Sequence, residues 1–217
     1  MEIKNKTEHD PVADMLQVDA YMRWALLAAE EVVGKRGLSV VLRDARLERF
    51  IDNYPPEELK PSGTITFGDY AALNAGLFNF FGRAGKSMVI RIGRLSTRRA
   101  IEQQGALFGV AAIVASKVLP IPTQLKIGME KMQDGFRRLL DMRLWGEDRG
   151  DKLAYVIETC AMCAGKQANE PMCWLQTGVL QESVRWLTGK EFEIEETECR
   201  AMGAPACVWE VSKTPKE

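Results

Sequence analysis

Five cysteines constrain this chain more than any other feature: Cys160, Cys163, Cys173, Cys199 and Cys207 all fall in its C-terminal part, with none before them. A lone free cysteine is an ordinary small core residue, but five in so short a span call for a common explanation. The N-terminal run Met1 to Asp10 is polar and lacks the apolar stretch of a secretion signal, which places the protein in the cytoplasm, where thiols stay reduced. That setting and the odd number both argue against a disulfide framework. Metal ligation, redox chemistry and clustering in a core remain.

Cys199 and Cys207 sit eight residues apart, on either side of a turn containing Gly203 and Pro205, between two strand-like runs. A hairpin brings them together. Cys173 follows Pro171 and Met172 at the start of a helical pattern, where free N–H groups favour a thiolate. Zinc takes four tetrahedral ligands, and the single histidine, His9, lies in the distant polar terminus, so a carboxylate is the natural fourth. Glu196 and Glu198 are both at hand. Strand alternation gives neither the face of Cys199, so either choice requires a bend or bulge. The pair Cys160 and Cys163 either joins this ligand set or shapes a strand end without metal. Its surroundings lack the strand-then-helix setting of a thioredoxin-like pair.

Charge and hydropathy exclude other classes. Lys and Arg number 29 against 30 Asp and Glu, so no net field draws a polyanion, and nucleic acid is not expected as a partner. The most apolar stretch, Gly105 to Ser116, is 12 residues long, well short of the roughly 20 that cross a bilayer. It reads as a buried helix, and no membrane contact is expected. Gly82 to Ser87 ends like a phosphate-binding loop, yet Phe80 stands where that motif needs its first glycine, and the segment precedes a strand-like run. The arginines Arg91, Arg94, Arg98 and Arg99 read as a solvated face.

Apolar spacing predicts a helix from Pro11 to Val33 ended by Gly34 and Gly37, a short one over Leu38 to Ile51, and another from Phe67 to Phe81 closed by Gly82. Met88 to Ile92 has the β-branched content of a strand. A helix that Ser96 or Thr97 can cap follows; Pro120 and Pro122 interrupt it, and it restarts at Thr123. Trp145 to Asp151 is the best hinge candidate. Beyond it come a strand over Leu153 to Ile157, a helix over Met172 to Leu187, and strands at Phe192 to Ile194 and Val208 to Val211.

Cys173-Trp174 with Gly178 downstream, the run Glu196 to Gly203, and Cys207 eight residues after Cys199 resemble the vinyl-4-reductase domain family. Upstream, Leu47 to Pro56 and Ile90 to Arg94 are similar to stand-alone hydrocarbon-binding members. Phenol-sensing domains of bacterial activators belong to the same family. The resemblance implies an α+β fold, a mainly antiparallel sheet packed by helices, with residues 38–212 as the ligand-binding domain and 1–37 as a helical N-terminal extension. It implies a homodimer and a buried pocket for an apolar or aromatic ligand. It also implies a structural zinc on Cys173, Glu196, Cys199 and Cys207, which selects Glu196 over Glu198. The histidine and tryptophan that grip a phenol hydroxyl in those sensors have no clear counterpart. Phe108, Phe136 and Tyr155 are the expected pocket aromatics, and Trp174 and Trp186 are assigned to packing.

Ligand binding without catalysis is therefore the first reading. A reductase or tetrapyrrole-handling enzyme using Cys160 and Cys163 is the second, though no histidine base, dinucleotide loop or serine elbow supports it. An assembly subunit is the third.

Overall fold

The computed structural model describes residues 1–104 and 118–216, so Gly105 to Ser116 and Phe108 lie outside the described residues. The fold is α+β in a single domain, with helices packed on a four-stranded antiparallel sheet. Its strands are β2 (Leu144–Arg149), β3 (Lys152–Ile157), β5 (Phe192–Glu198) and β6 (Cys207–Pro215), in spatial order β2-β3-β6-β5. Two short strands, β1 (Ile3–Asn5) and β4 (Lys166–Ala168), form a separate antiparallel pair.

The first long helix, α1 (Asp19–Asp44), runs on past Gly34, which takes φ 71° and ψ 163°. The two expected helices are thus one bent element, since glycine alone accepts that backbone without a Cβ penalty. Helix α2 (Phe67–Phe81) starts on a reciprocal cap: Asp69 N–H donates to Thr66 Oγ1 at 3.2 Å, and Thr66 N–H donates to Asp69 Oδ2 at 2.9 Å.

The predicted strand at Met88 to Ile92 lies instead inside α3 (Gly85–Gln104). Its buried residues, Val89, Ile92, Gly93, Ser96, Thr97 and Ala100, recur at three- and four-residue spacing. That helical stripe buries more than the local β-branched content can offset. Gly82 to Ser87 accordingly leads into a helix, not a strand, and the phosphate-loop reading now fails on spacing alone. Ser96 and Thr97 lie in mid-helix rather than capping one.

Helix α4 (Ile121–Leu139) begins just after Pro120. The expected hinge, Trp145 to Asp151, is strand β2 and the turn of a β2–β3 hairpin, with Arg149 paired to Lys152 and Gly150 at φ 80°. Helix α5 (Trp174–Thr188) ends on a left-handed Gly189.

One sheet face, with Leu153, Tyr155, Ile157, Trp209 and Val211, joins the main core; Ala154, Val156 and Val208 on the other face form a small buried cluster with Ala206. Helices α3 and α5 cross at Gly93 and Gly178. A Cβ on Gly93 would strike the Leu175 carbonyl, and one on Gly178 would strike the Ile90 carbonyl. The crossing fixes where α5 begins, and therefore where Cys173 stands.

Candidate metal centre and ligand cavity

Four chain segments carry the five thiols to one place. Cys160 and Cys163 bracket the single-turn helix Ala161–Cys163 after β3, Cys173 is the N-cap of α5, Cys199 follows β5, and Cys207 opens β6. All five are buried and none forms a disulfide. Sγ separations are 3.7 Å for Cys160–Cys173, 3.5 Å for Cys163–Cys207, 3.8 Å for Cys173–Cys199 and 3.8 Å for Cys173–Cys207. A tetrahedral ion with Zn–S bonds of about 2.3 Å spaces its sulfurs about 3.8 Å apart, so these contacts have the length of ligand-to-ligand edges. Burial, then the neighbouring thiols of Cys160 and Cys163, push Cys173 and Cys207 well above the ordinary thiol range; a divalent cation would reverse that by favouring thiolates.

The carboxylate is Glu196. A register shift in the β5–β6 pairing between Glu196 and Glu198 supplies the irregularity that alternation required. It buries Glu196 to 8 % exposure and leaves Glu198 in water. Glu196 Oε2 accepts from the Cys173 backbone N–H at 2.8 Å, while Oε1 is buried with no hydrogen-bond partner among the described residues. Such an oxygen is costly unless something positive meets it. Burial, then the Cys199 thiol, push the Glu196 carboxyl well above the usual carboxylate range. The ligand atoms of Cys173, Glu196, Cys199 and Cys207 lie within 4.8 Å of one another, and so do those of Cys160, Cys163, Cys173 and Cys207.

Two supporting residues escaped the sequence reading. Asn74 on α2 is fully buried; its Nδ2 donates to the carbonyls of Met162 at 3.2 Å and Met172 at 2.8 Å, and its Oδ1 accepts from Leu175 N–H at 3.3 Å. It thereby ties the Cys160–Cys163 turn to the start of α5. Asp10 accepts from Gly165 N–H at 3.1 Å and from Arg200 Nη2 at 3.1 Å, joining the N-terminus to the β5–β6 turn. Against the cost of burial, these bonds and that from Lys6 hold its carboxyl well below the usual range. An asparagine in an apolar helical stripe was the only available signal for the first; nothing local marks the second.

Beside the thiols lies a cavity of about 130 Å³ between α1, α3, α4 and α5. Its wall is largely apolar, with Met129, Met132, Phe136 and Trp186 among its residues, and it reaches Cys160. Phe136 therefore lines it. Tyr155 is wholly buried in the core but is not among the lining residues, and Trp186, assigned to packing, is. Tyr21, Trp24 and Gln176 also line the cavity, and their Oη, Nε1 and Nε2 atoms are buried without hydrogen-bond partners among the described residues. Tyr21 meets Phe136 edge-on at 5.7 Å between ring centroids. The expected solvated arginines are instead paired within the chain: Arg94 and Arg98 on the buried Glu182 at 3.0 and 3.1 Å, and Arg99 on Glu31.

Fold and site together define an α+β domain that encloses an apolar cavity next to a buried cluster of metal-competent thiols. Residues 153–213, which hold all five cysteines, match the family model of the vinyl-4-reductase domain, in agreement with the resemblance carried by the cysteine-bearing motifs. No curated protein matches the chain. Among solved structures, it is similar to the Fe(II) unliganded H-NOX protein from K. algicida, with TM-score 0.60, 12% identity, and 92% of this chain and 98% of that one covered. An oxygen-binding H-NOX domain related to soluble guanylate cyclases gives TM-score 0.56 and 13% identity over 92% and 96%. An H-NOX protein from S. oneidensis in the Fe(II)NO state gives 0.52 and 9% over 88% and 97%. At such identities the likeness is one of fold. No helix among the described residues is long and apolar enough to cross a membrane.

Proposed function

We propose that this chain binds and senses a small apolar or aromatic molecule, and that a structural zinc on Cys173, Glu196, Cys199 and Cys207 fixes the wall of its binding cavity. The cavity carries the reading. Its volume of about 130 Å³ compares with the engineered cavity of about 150 Å³ that holds benzene, so a single-ring compound fits and an extended one does not. The unpaired Tyr21 hydroxyl, Trp24 N–H and Gln176 amide add hydrogen-bonding capacity for one oxygen on the ring. Four protein ligands leave zinc no open position, so the ion holds structure and does not activate water.

The H-NOX structures include proteins studied for their haem. This chain does not fit a haem held by histidine. Its sole histidine, His9, is exposed and paired with Asp14, and the macrocycle is several times larger than the cavity. A homodimer belongs to the same reading, and the exposed apolar side chains of Val40 and Phe80 on α1 and α2 favour it; light scattering would read the mass.

The test is a thermal-shift titration with toluene, p-cresol and indole. Ring compounds should raise Tm in the wild type, p-cresol more than toluene, and Met129→Trp, which fills the cavity, should abolish the response while the protein stays folded. No response to any of the three at millimolar concentration sinks the proposal.

A further inference from the structure

The zinc of the preceding reading uses three of the five thiols and leaves Cys160 and Cys163 without a task. Both are buried, at 1 % and 0 % exposure. Their sulfurs stand at the same ligand-edge separations from the zinc set as its own members do: 3.7 Å from Cys160 to Cys173 and 3.5 Å from Cys163 to Cys207. The sets Cys160, Cys163, Cys173, Cys207 and Cys173, Glu196, Cys199, Cys207 have two members in common. Two tetrahedra that share an edge describe a pair of cations bridged by two sulfurs. The five thiols and one carboxylate supply every corner of that figure.

From this geometry we propose that the cluster is a binuclear centre, in which a second thiophilic divalent cation such as zinc is held by Cys160, Cys163, Cys173 and Cys207 and is bridged to the first through the sulfurs of Cys173 and Cys207. The proposal rests on the zinc reading for the first ion and adds the second. Ligand accounting favours two ions over one. A single ion on the Glu196 side strands Cys160 and Cys163 in a space where their only hydrogen-bond partners among the described residues are other sulfurs. A single ion on the all-thiolate side strands the unpartnered Glu196 Oε1. Two ions employ all six groups.

The surroundings agree. Asn74 holds the Met162 carbonyl, inside the Cys160–Cys163 turn, and the Met172 carbonyl, beside Cys173, so the fold devotes a buried polar side chain to keeping the second ligand set in register with the first. Six ionised ligands on two dications retain some negative charge. The Arg200 N–H donates to Cys207 Sγ at 3.3 Å, and the Arg200 guanidinium, with one buried nitrogen unpaired, supplies a positive field next to Cys160 and Cys163. Cys160 also lines the cavity, which sets the second ion beside the ligand space.

Native mass spectrometry of the full chain, loaded with zinc and desalted, counts the ions. Two zinc ions per wild-type chain are expected, falling to one in Cys160→Ser/Cys163→Ser and to one in Glu196→Gln/Cys199→Ser. One ion in the wild type, unchanged in Cys160→Ser/Cys163→Ser, overturns the second site and leaves the first; no ion at all overturns both. Should the variants not fold, cobalt(II) titration of the wild type decides. The second equivalent should quench the paramagnetic signal of the first by exchange across the shared sulfurs, whereas two additive signals overturn the bridge. Acid-labile sulfide with iron in the purified protein would likewise overturn it.

Discussion

At the scale of single residues, the site depends on groups that cannot be left alone once buried. Glu196 and Glu198 are indistinguishable by residue type and nearly so by position. The register shift between them sends one carboxylate into the thiol cluster and the other into water. Sequence spacing could state that a bulge was needed but not which glutamate it would bury, because a bulge is settled by the partner strand. Cys199→Ser should lose the zinc beside Glu196 and cost more than about 4 kcal/mol, read as a lower urea midpoint, because a structural metal carries folding free energy. Asn74→Ala strands two carbonyls and one N–H at once. A loss of roughly 3 kcal/mol is expected, together with weaker zinc retention against a chelator. Of the three aromatic residues expected in the pocket, Phe136 lines it, Tyr155 is packed in the core, and Phe108 lies outside the described residues.

At the scale of elements, patterns that repeat over three or more turns were legible and composition alone was not. Phe67 to Phe81 was readable to the residue, because a Thr-Asp cap and a terminal glycine punctuate an apolar run. Met88 to Ile92 misled, because its β-branched residues are also the first members of a helical stripe that shows only when Ser96, Thr97 and Ala100 are counted with it. The reason that stripe contains Gly93 is the facing Gly178, 85 positions later. Gly93→Ala and Gly178→Ala should each cost about 1–3 kcal/mol by overpacking, measured by chemical denaturation. Their double variant should cost less than the sum, since the first Cβ already forces the helices apart.

At the scale of the whole molecule, the N-terminus is tied to the metal-bearing hairpin through Asp10, Gly165 and Arg200. Asp10 is more acidic in the folded chain than in the unfolded one, so it contributes stability that is present above the ordinary carboxylate range and is lost as pH falls through and below it. Asp10→Asn should destabilise the protein at pH 7 by roughly 2 kcal/mol and flatten the acid limb of its stability curve between about pH 5 and 2, read by urea titrations of the zinc-free protein at several pH values. Working on the zinc-free form keeps thiolate protonation, which releases metal in the same direction, from masking the effect.

The sequence by itself determined the α+β class, the order of the late strands and helix, and the gathering of thiols in one C-terminal region, because those follow from local periodicity and from residue chemistry that no context changes. Only the tertiary structure decided which carboxylate turns inward, that Cys160 and Cys163 meet the other three sulfurs, and that α1 supplies Tyr21 and Trp24 to a cavity beside them. These are contacts between segments separated by tens of residues. They are fixed by the helix crossing at Gly93 and Gly178 and by the pairing of β5 with β6, and neither leaves a signature in the neighbouring residues of the chain.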